Sequence, residues 1–286
     1  MTTNDTLPIK FNLNIIYVTS IGITVLMTVA SVAGLIYPDE LYPTKAMREA
    51  YVVNDAINVL IGIPILLASM WLAWRGKLVG LLLWPGALFY VFYNYVAYII
   101  GIPYNLIHGL YILILSASLY SIIALAVVIE GHTVKGLLSD AVPEKISGGV
   151  LAGLGSLYIL RVLSILIDAI IYKNPIPLTE LAIMIADMLI APAWIIGGLI
   201  LWRRVALGYV SGLGLLFQGS TLFIGLILIM LFQPIVTGTR YSFLDILVVF
   251  FMGLIVFIPF GLYLKAVLAS NQSTSDIMPP DGQSGR

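Results

Sequence analysis

The chain reads as an all-α integral membrane protein of eight transmembrane helices arranged as a 4+4 parallel internal repeat. Three observations lead there. Of 286 residues, 60% are hydrophobic and 10% charged, with a mean hydropathy of +1.06, against roughly 45–50% apolar and 25% charged in a soluble domain. Eight apolar runs each reach the ~20 residues that an α-helix needs to cross a bilayer. And one phrase occurs twice: Pro64, ten residues, Arg75, Gly80 and Gly86 recurs 128 positions later as Pro192, ten residues, Arg203, Gly208 and Gly214. Both copies carry Trp before the Arg (Trp74, Trp202) and Leu-Phe after the last Gly (Leu88-Phe89, Leu216-Phe217).

The first span, near 13–36, follows a cytoplasmic N-terminal segment, 1–12. Ser31-Val32-Ala33 resembles a signal cleavage site, but the apolar run exceeds the roughly 7–15 residues of a signal h-region, so the helix is retained. The second, near 53–74, opens on Asn54, Asp55 and Asn58 and ends at Trp74-Arg75. The third, near 79–101, carries Tyr90, Asn94 and Tyr98 every four residues, a polar-aromatic stripe. The fourth, near 104–130, sets Tyr104, His108, Tyr111 and Ser118 on one face. A cytoplasmic linker, 131–147, precedes the fifth span near 148–172, which holds Arg161 and Asp168. The sixth, near 180–202, holds Asp187; the seventh, near 206–231, holds Gln218; the eighth runs near 242–269. The tail, 270–286, is rich in Ser, Gln, Pro, Gly and Asp and is expected to be disordered for want of anything to bury.

The repeat extends weakly outward from the central phrase. Leu35-Ile36-Tyr37 and Thr44 match Ile170-Ile171-Tyr172 and Thr179, and Leu119-Tyr120 and Leu125-Ala126 match Leu262-Tyr263 and Leu268-Ala269. This divides the chain into a first four-helix repeat, 13–130, and a second, 148–269, in the same orientation because an even number of spans separates them. The side holding both termini collects nine Lys and Arg (Lys10, Arg75, Lys77, Lys135, Lys145, Arg203, Arg204, Lys265, Arg286) against four on the other (Lys45, Arg48, Lys173, Arg240). The positive-inside rule then puts both termini in the cytoplasm of a multi-pass plasma (inner) membrane protein.

The candidate site residues are polar groups where the surroundings are apolar. Arg161 falls near the centre of its span, where insertion costs about 2.5–3.5 kcal/mol, so it needs a partner or water. Asp168 lies seven residues on, about 10 Å along the same face, and Asp187 enters at an intermediate depth, so the three form a candidate buried cluster. Two roles fit it, a structural ion pair or a proton or substrate relay. The first half has Leu26 at the equivalent of Arg161 and concentrates Asp55, Asn58, Asn94 and His108 toward the outer face, where they would line an outward-opening vestibule with Asp55 and His108 near its mouth. Among Tyr93, Tyr95, Tyr98 and Tyr104, three are assigned to an interfacial aromatic belt. Gln218 completes the binding candidates. Pro64 and Pro192 are helix-kink candidates, since each removes a backbone hydrogen bond near mid-span and freed carbonyls can face a transport cavity. Gly149, Gly153, Gly155, Gly197, Gly198, Gly208, Gly212, Gly214 and Gly219 are expected to serve tight helix packing rather than a gate.

Several classes are set aside. Zero net charge argues against a nucleic-acid partner. No Cys is present; His108 and His132 are too far apart for one metal or haem; and neither metal nor cofactor is expected. HExxH, Walker and G-x-S-x-G patterns are missing, so the balance is against an enzyme, with Asp55, Asn94 and His108 the alternative as a membrane-embedded catalytic site and a non-catalytic sensor or assembly partner as a third possibility.

The runs Asn54-Asp55 to Pro64, Trp74-Arg75-Gly76, Leu83-Trp84-Pro85-Gly86-Ala87-Leu88-Phe89-Tyr90 and Tyr93-Asn94-Tyr95 resemble hypothetical prokaryotic polytopic membrane proteins. Pro192-Ala193-Trp194, Leu201-Trp202-Arg203-Arg204 and Leu207-Gly208-Tyr209 are similar to the same group. That resemblance implies no activity. The expected function is binding or transport of a small solute or ion between two halves, with the lipid bilayer as the standing partner.

Overall fold

The structure, a computed structural model, describes residues 7–237 and 241–276. Among these, eight helices are long and apolar enough to cross a membrane: α1 (Asn14–Ile36), α2 (Lys45–Trp74), α3 (Leu78–Gly101), α4 (His108–Val128), α5 (Glu144–Tyr172), α6 (Leu178–Trp202), α7 (Ala206–Thr237) and α8 (Phe243–Asp276). Two short helices, Pro38–Leu41 and Gly131–Leu138, lie in connections.

Three of the boundaries that differ from those expected lie where polar residues continue a helix past its apolar run; in addition α4 begins only at His108, which leaves Tyr104 in the connection before it, and α7 continues to Thr237. α2 begins at Lys45 because the Thr44 hydroxyl accepts the Met47 N–H at 3.2 Å, an N-cap. Asn54, Asp55 and Asn58 therefore sit in its interior, not at its start. α5 begins at Glu144, inside the expected linker. α8 runs to Asp276, into the segment expected to be disordered; residues 277–286 lie outside the described residues.

α3 is the most buried of the eight and α8 the least. α3 packs on α2, α4, α6 and α7, and α7 on α2, α3, α6 and α8. α1 leans on α2 and α4, and α5 on α6 and α8. Thus α3 and α7 form the centre. They cross backbone to backbone: a Cβ on Gly86 would fall on the Gly214 carbonyl, and one on Gly214 would crowd Leu82 O and Gly86 N. Only hydrogen at both positions permits this approach.

The two copies of the repeated phrase share one backbone design. After α2, Gly76 N–H bonds Ala73 O at 2.9 Å and Lys77 N–H bonds Leu72 O at 3.0 Å; after α6, Arg204 N–H bonds Leu201 O and Val205 N–H bonds Ile200 O, each at 2.9 Å. These are Schellman ends, which need a left-handed residue at the turn. Gly76 (φ 70°) supplies it in one copy and Arg204 (φ 56°) in the other.

The prolines behave differently from one another. Asn58–Gly62 forms a π-turn directly before Ile63-Pro64, so the missing N–H falls where the hydrogen-bond pattern already changes. Pro192 lies within continuous α-helix. Both rings are exposed, as are Leu60 and Met188 four residues before them, so neither proline faces the interior of the bundle.

Candidate functional site

Three carboxylates are buried among the described residues: Asp55 and Asp187, each 1% exposed, and Glu144 at 5%. An isolated ion costs far more in this setting than at a surface, and such groups are ordinarily paired. Two of them are. Arg161 Nη1 lies 2.7 Å from Asp187 Oδ2, and Arg204 Nε lies 3.4 Å from Glu144 Oε1. Asp55 is in no ion pair among the described residues.

What surrounds Asp55 is tyrosine. Tyr42, from the connection after α1, donates to Asp55 Oδ2 at 2.5 Å, and Tyr98 of α3 donates to Oδ1 at 2.8 Å. Burial, then the Asp55 charge, push the Tyr42 hydroxyl far above its ordinary pKa, so it remains a donor. Tyr98 Oη in turn accepts from Asn54 Nδ2 at 3.2 Å and Asn58 Nδ2 at 3.5 Å. Asn54 Nδ2 also reaches Asn94 Oδ1 at 3.1 Å, and Asn94 Nδ2 donates to Tyr90 O at 3.0 Å. Around this core the rings of Tyr51, Tyr95, Tyr98 and Tyr111 pack at centroid separations from 4.9 Å (Tyr51–Tyr98) to 5.8 Å (Tyr95–Tyr111). Gly34 of α1 closes the site, since a Cβ there would overlap the Asp55 carboxylate and the Tyr42 hydroxyl. Ser31, one turn earlier, faces Asp55 and Tyr95.

The polar supply exceeds what these bonds use. Ser31 Oγ, Asn58 Oδ1, Tyr95 Oη, Tyr111 Oη and His108 Nδ1 are buried without a hydrogen-bond partner among the described residues. Unsatisfied buried groups are uncommon enough that each needs an explanation, and these five all come from one neighbourhood.

The second site joins residues from the two halves of the sequence. Tyr93 of α3 donates to Asp187 Oδ1 at 3.0 Å, while Arg161 of α5 holds Oδ2 of the same carboxylate. Beside it Tyr158 meets Trp194 edge-on at 4.9 Å, and Trp194 Nε1 donates to Gln218 Oε1 at 2.7 Å. Gln218 Nε2 has no partner among the described residues.

The placements answer the expectations one by one. Asp55, Asn58 and Asn94 converge. His108 is buried and stacks on Tyr104 and Tyr111, and with Asp55 it is enclosed, not at the mouth of an open vestibule. Asp187 pairs with Arg161, but Asp168, two turns further along α5, is exposed to the surroundings of the bundle and is in no ion pair among the described residues. Of the four tyrosines weighed for a belt, only Tyr104 is exposed, at 86%; Tyr93, Tyr95 and Tyr98 turn inward to the polar groups. Residues missed in the sequence are Ser31, Gly34, Tyr42 and the Glu144 site, where Tyr209 donates to Glu144 Oε1 at 2.6 Å. Pro143-Glu144 at a helix start was the available signal for the last.

No group of three or more His, Cys, Asp or Glu that could hold a metal ion occurs among the described residues. A groove of about 270 Å³ beside the Gly86–Gly214 crossing is apolar, lined by residues such as Phe89, Ile122, Ile196 and Leu215, and offers nothing to orient a polar solute. No protein family, curated protein or solved structure matches the chain. The resemblance to prokaryotic membrane proteins therefore gains no family from these comparisons, and the eight long apolar helices point to a polytopic membrane protein.

Proposed function

We propose that the protein is a multi-pass membrane protein of two related four-helix halves, α1–α4 and α5–α8, that binds and carries a small solute or ion between them. The matching Schellman ends support the duplication, as does the pattern of neighbours: α3 meets α7 at equivalent glycines, and α3–α6 is mirrored by α2–α7. The observation that carries the functional reading is the Tyr93–Asp187–Arg161 network. It joins a buried carboxylate and a half-exposed arginine within the spans to a hydrogen-bond donor from the other half, and intramembrane ionisable residues mark substrate paths and relays. In this reading both termini are cytoplasmic in a plasma (inner) membrane, which the Lys and Arg distribution supports. The alternative, a membrane-embedded enzyme using Asp55, Asn94 and His108, draws less support because Asn94 is committed to Asn54 and the Tyr90 carbonyl.

Flux in proteoliposomes across a broad panel of solutes and ions tests the proposal. Uptake of at least one is expected, reduced about tenfold or more by Asp187→Asn and by Tyr93→Phe. Monodisperse protein that moves nothing on the panel overturns carriage.

A further inference from the structure

Asp55 sets a problem of charge. Asp187 and Glu144 each have an arginine, whereas every group that touches Asp55 is neutral: Tyr42, Tyr98, Ser31 and the Gly34 backbone. Arg48, seven residues earlier on the same helix, is occupied by the Tyr42 carbonyl at 3.0 Å and by Asp39 at 3.3 Å. The His108 ring meets Tyr111 edge-on at 5.8 Å. A carboxylate buried this way has to be neutralised, by a proton or by a cation.

The same neighbourhood holds oxygen atoms with spare capacity. Ser31 Oγ, Tyr95 Oη and Tyr111 Oη are buried without a well-formed hydrogen bond among the described residues, and they come from three elements, α1, α3 and α4. Ser31 is in loose hydrogen-bonding reach of Asp55 and Tyr95, and Tyr111 of Tyr42, with the Asp55 charge close to both tyrosines. One carboxylate with several neutral oxygens is the donor set of a hard cation of low charge; a divalent ion would draw on several carboxylates, and no such group exists among the described residues. The tyrosine rings pack on one another at 4.9–5.8 Å, too closely to admit a substituted ammonium.

From this geometry we infer that Asp55, with the hydroxyl oxygens of Ser31, Tyr95 and Tyr111, forms a binding site for one dehydrated monovalent cation of the Na⁺ class. Asn58 and Tyr98 hold the carboxylate in place from α2 and α3, and Gly34 lets α1 approach closely enough for Ser31 to join. The inference names the ion of the functional reading above and rests on that reading for carriage alone, not for binding.

Titration calorimetry or ²²Na⁺ equilibrium binding on the purified full chain, with choline chloride keeping ionic strength constant, tests it. Saturable binding of one Na⁺ per chain is expected. Asp55→Asn, which keeps the shape of the side chain, is expected to lower affinity about a hundredfold or more. Ser31→Ala and Tyr111→Phe, each deleting a single oxygen, are expected to cost about tenfold, the loss of one ligand worth ~1.4 kcal/mol. Asp245→Asn, which removes an exposed carboxylate at the start of α8, is expected to bind as the parent does. Absence of Na⁺-dependent binding by monodisperse helical protein overturns the site, meaning that Asp55 is simply protonated or hydrated; so does equal binding by Asp55→Asn and the parent, and if Asp55→Asn fails to fold, undiminished binding by both Ser31→Ala and Tyr111→Phe overturns it too. Binding without flux of any solute leaves the cation site standing and removes carriage, while flux that neither needs nor accompanies Na⁺ binding removes the cation site and leaves carriage.

Discussion

Asp187 and Arg161 form one ion pair, yet they stand in different surroundings: the carboxylate is 1% exposed and the guanidinium side chain 47%. Removing either partner is therefore not equivalent. Arg161→Leu strands a charge that has no route to water and is expected to cost about 3–5 kcal/mol, whereas Asp187→Leu leaves an arginine that can extend its head toward the interface and is expected to cost markedly less. Thermal unfolding of the two variants and of the double variant in detergent would show it; equal losses would contradict the asymmetry. At Asp55 the sensitive neighbour is a glycine. Gly34→Ala places a methyl group on the carboxylate, and overpacking of this kind costs about 1–3 kcal/mol. The stripe of Tyr90, Asn94 and Tyr98 was legible in the sequence because a four-residue period on a helix names one face. Ser31, Gly34 and Tyr42 were not, since their relation to Asp55 is made by packing across elements and no spacing records it. Assigning three of Tyr93, Tyr95, Tyr98 and Tyr104 to the belt failed for a physical reason: an interfacial anchor and a buried hydrogen-bond donor call for the same amphipathic side chain.

At the scale of elements, the Schellman ends of α2 and α6 set up a comparison within one molecule. Gly76 adopts φ 70° without strain, while Arg204 adopts φ 56° with a side chain attached, a conformation that costs roughly 1–2 kcal/mol outside glycine. Gly76→Ala is thus expected to destabilise by about 1 kcal/mol. Arg204→Gly should relieve a similar amount but strip Glu144 of its cation, so the net change should be unfavourable, and Arg204→Gly combined with Glu144→Gln should recover most of it; melting midpoints of the three variants decide. Helix count and approximate bounds were legible because an apolar run of the right length has one use. The ends were not: the amphipathic turns from Lys45 to Tyr51 belong to α2, and the polar continuation of α8 belongs to a helix whose apolar part has already ended. That hidden first part of α2 is why Asp55 read as an entrance residue and stands instead in a helix interior.

In the whole molecule, the contact of Gly86 with Gly214 fixes how closely the two groups of four helices can meet. Gly86→Val or Gly214→Val is expected to give little or no monodisperse protein on size exclusion, whereas Gly153→Val, with nothing within 4 Å of its Cβ position, is expected to elute as the parent does. Both termini, separated by eight spans, should report the same side of the membrane when fused in turn to a reporter active only in the cytoplasm, and a split result would remove the topology on which the parallel halves depend. The close crossing of α3 and α7 also bears on how the protein is made. α3, the most buried helix, finishes synthesis more than a hundred residues before α7, so during translation its glycine face must wait in lipid for a partner that does not yet exist. A ribosome stalled after α4 would release four helices whose central member lies uncovered, and that unfinished half, unlike the completed chain, is the form that membrane chaperones and proteases should recognise first.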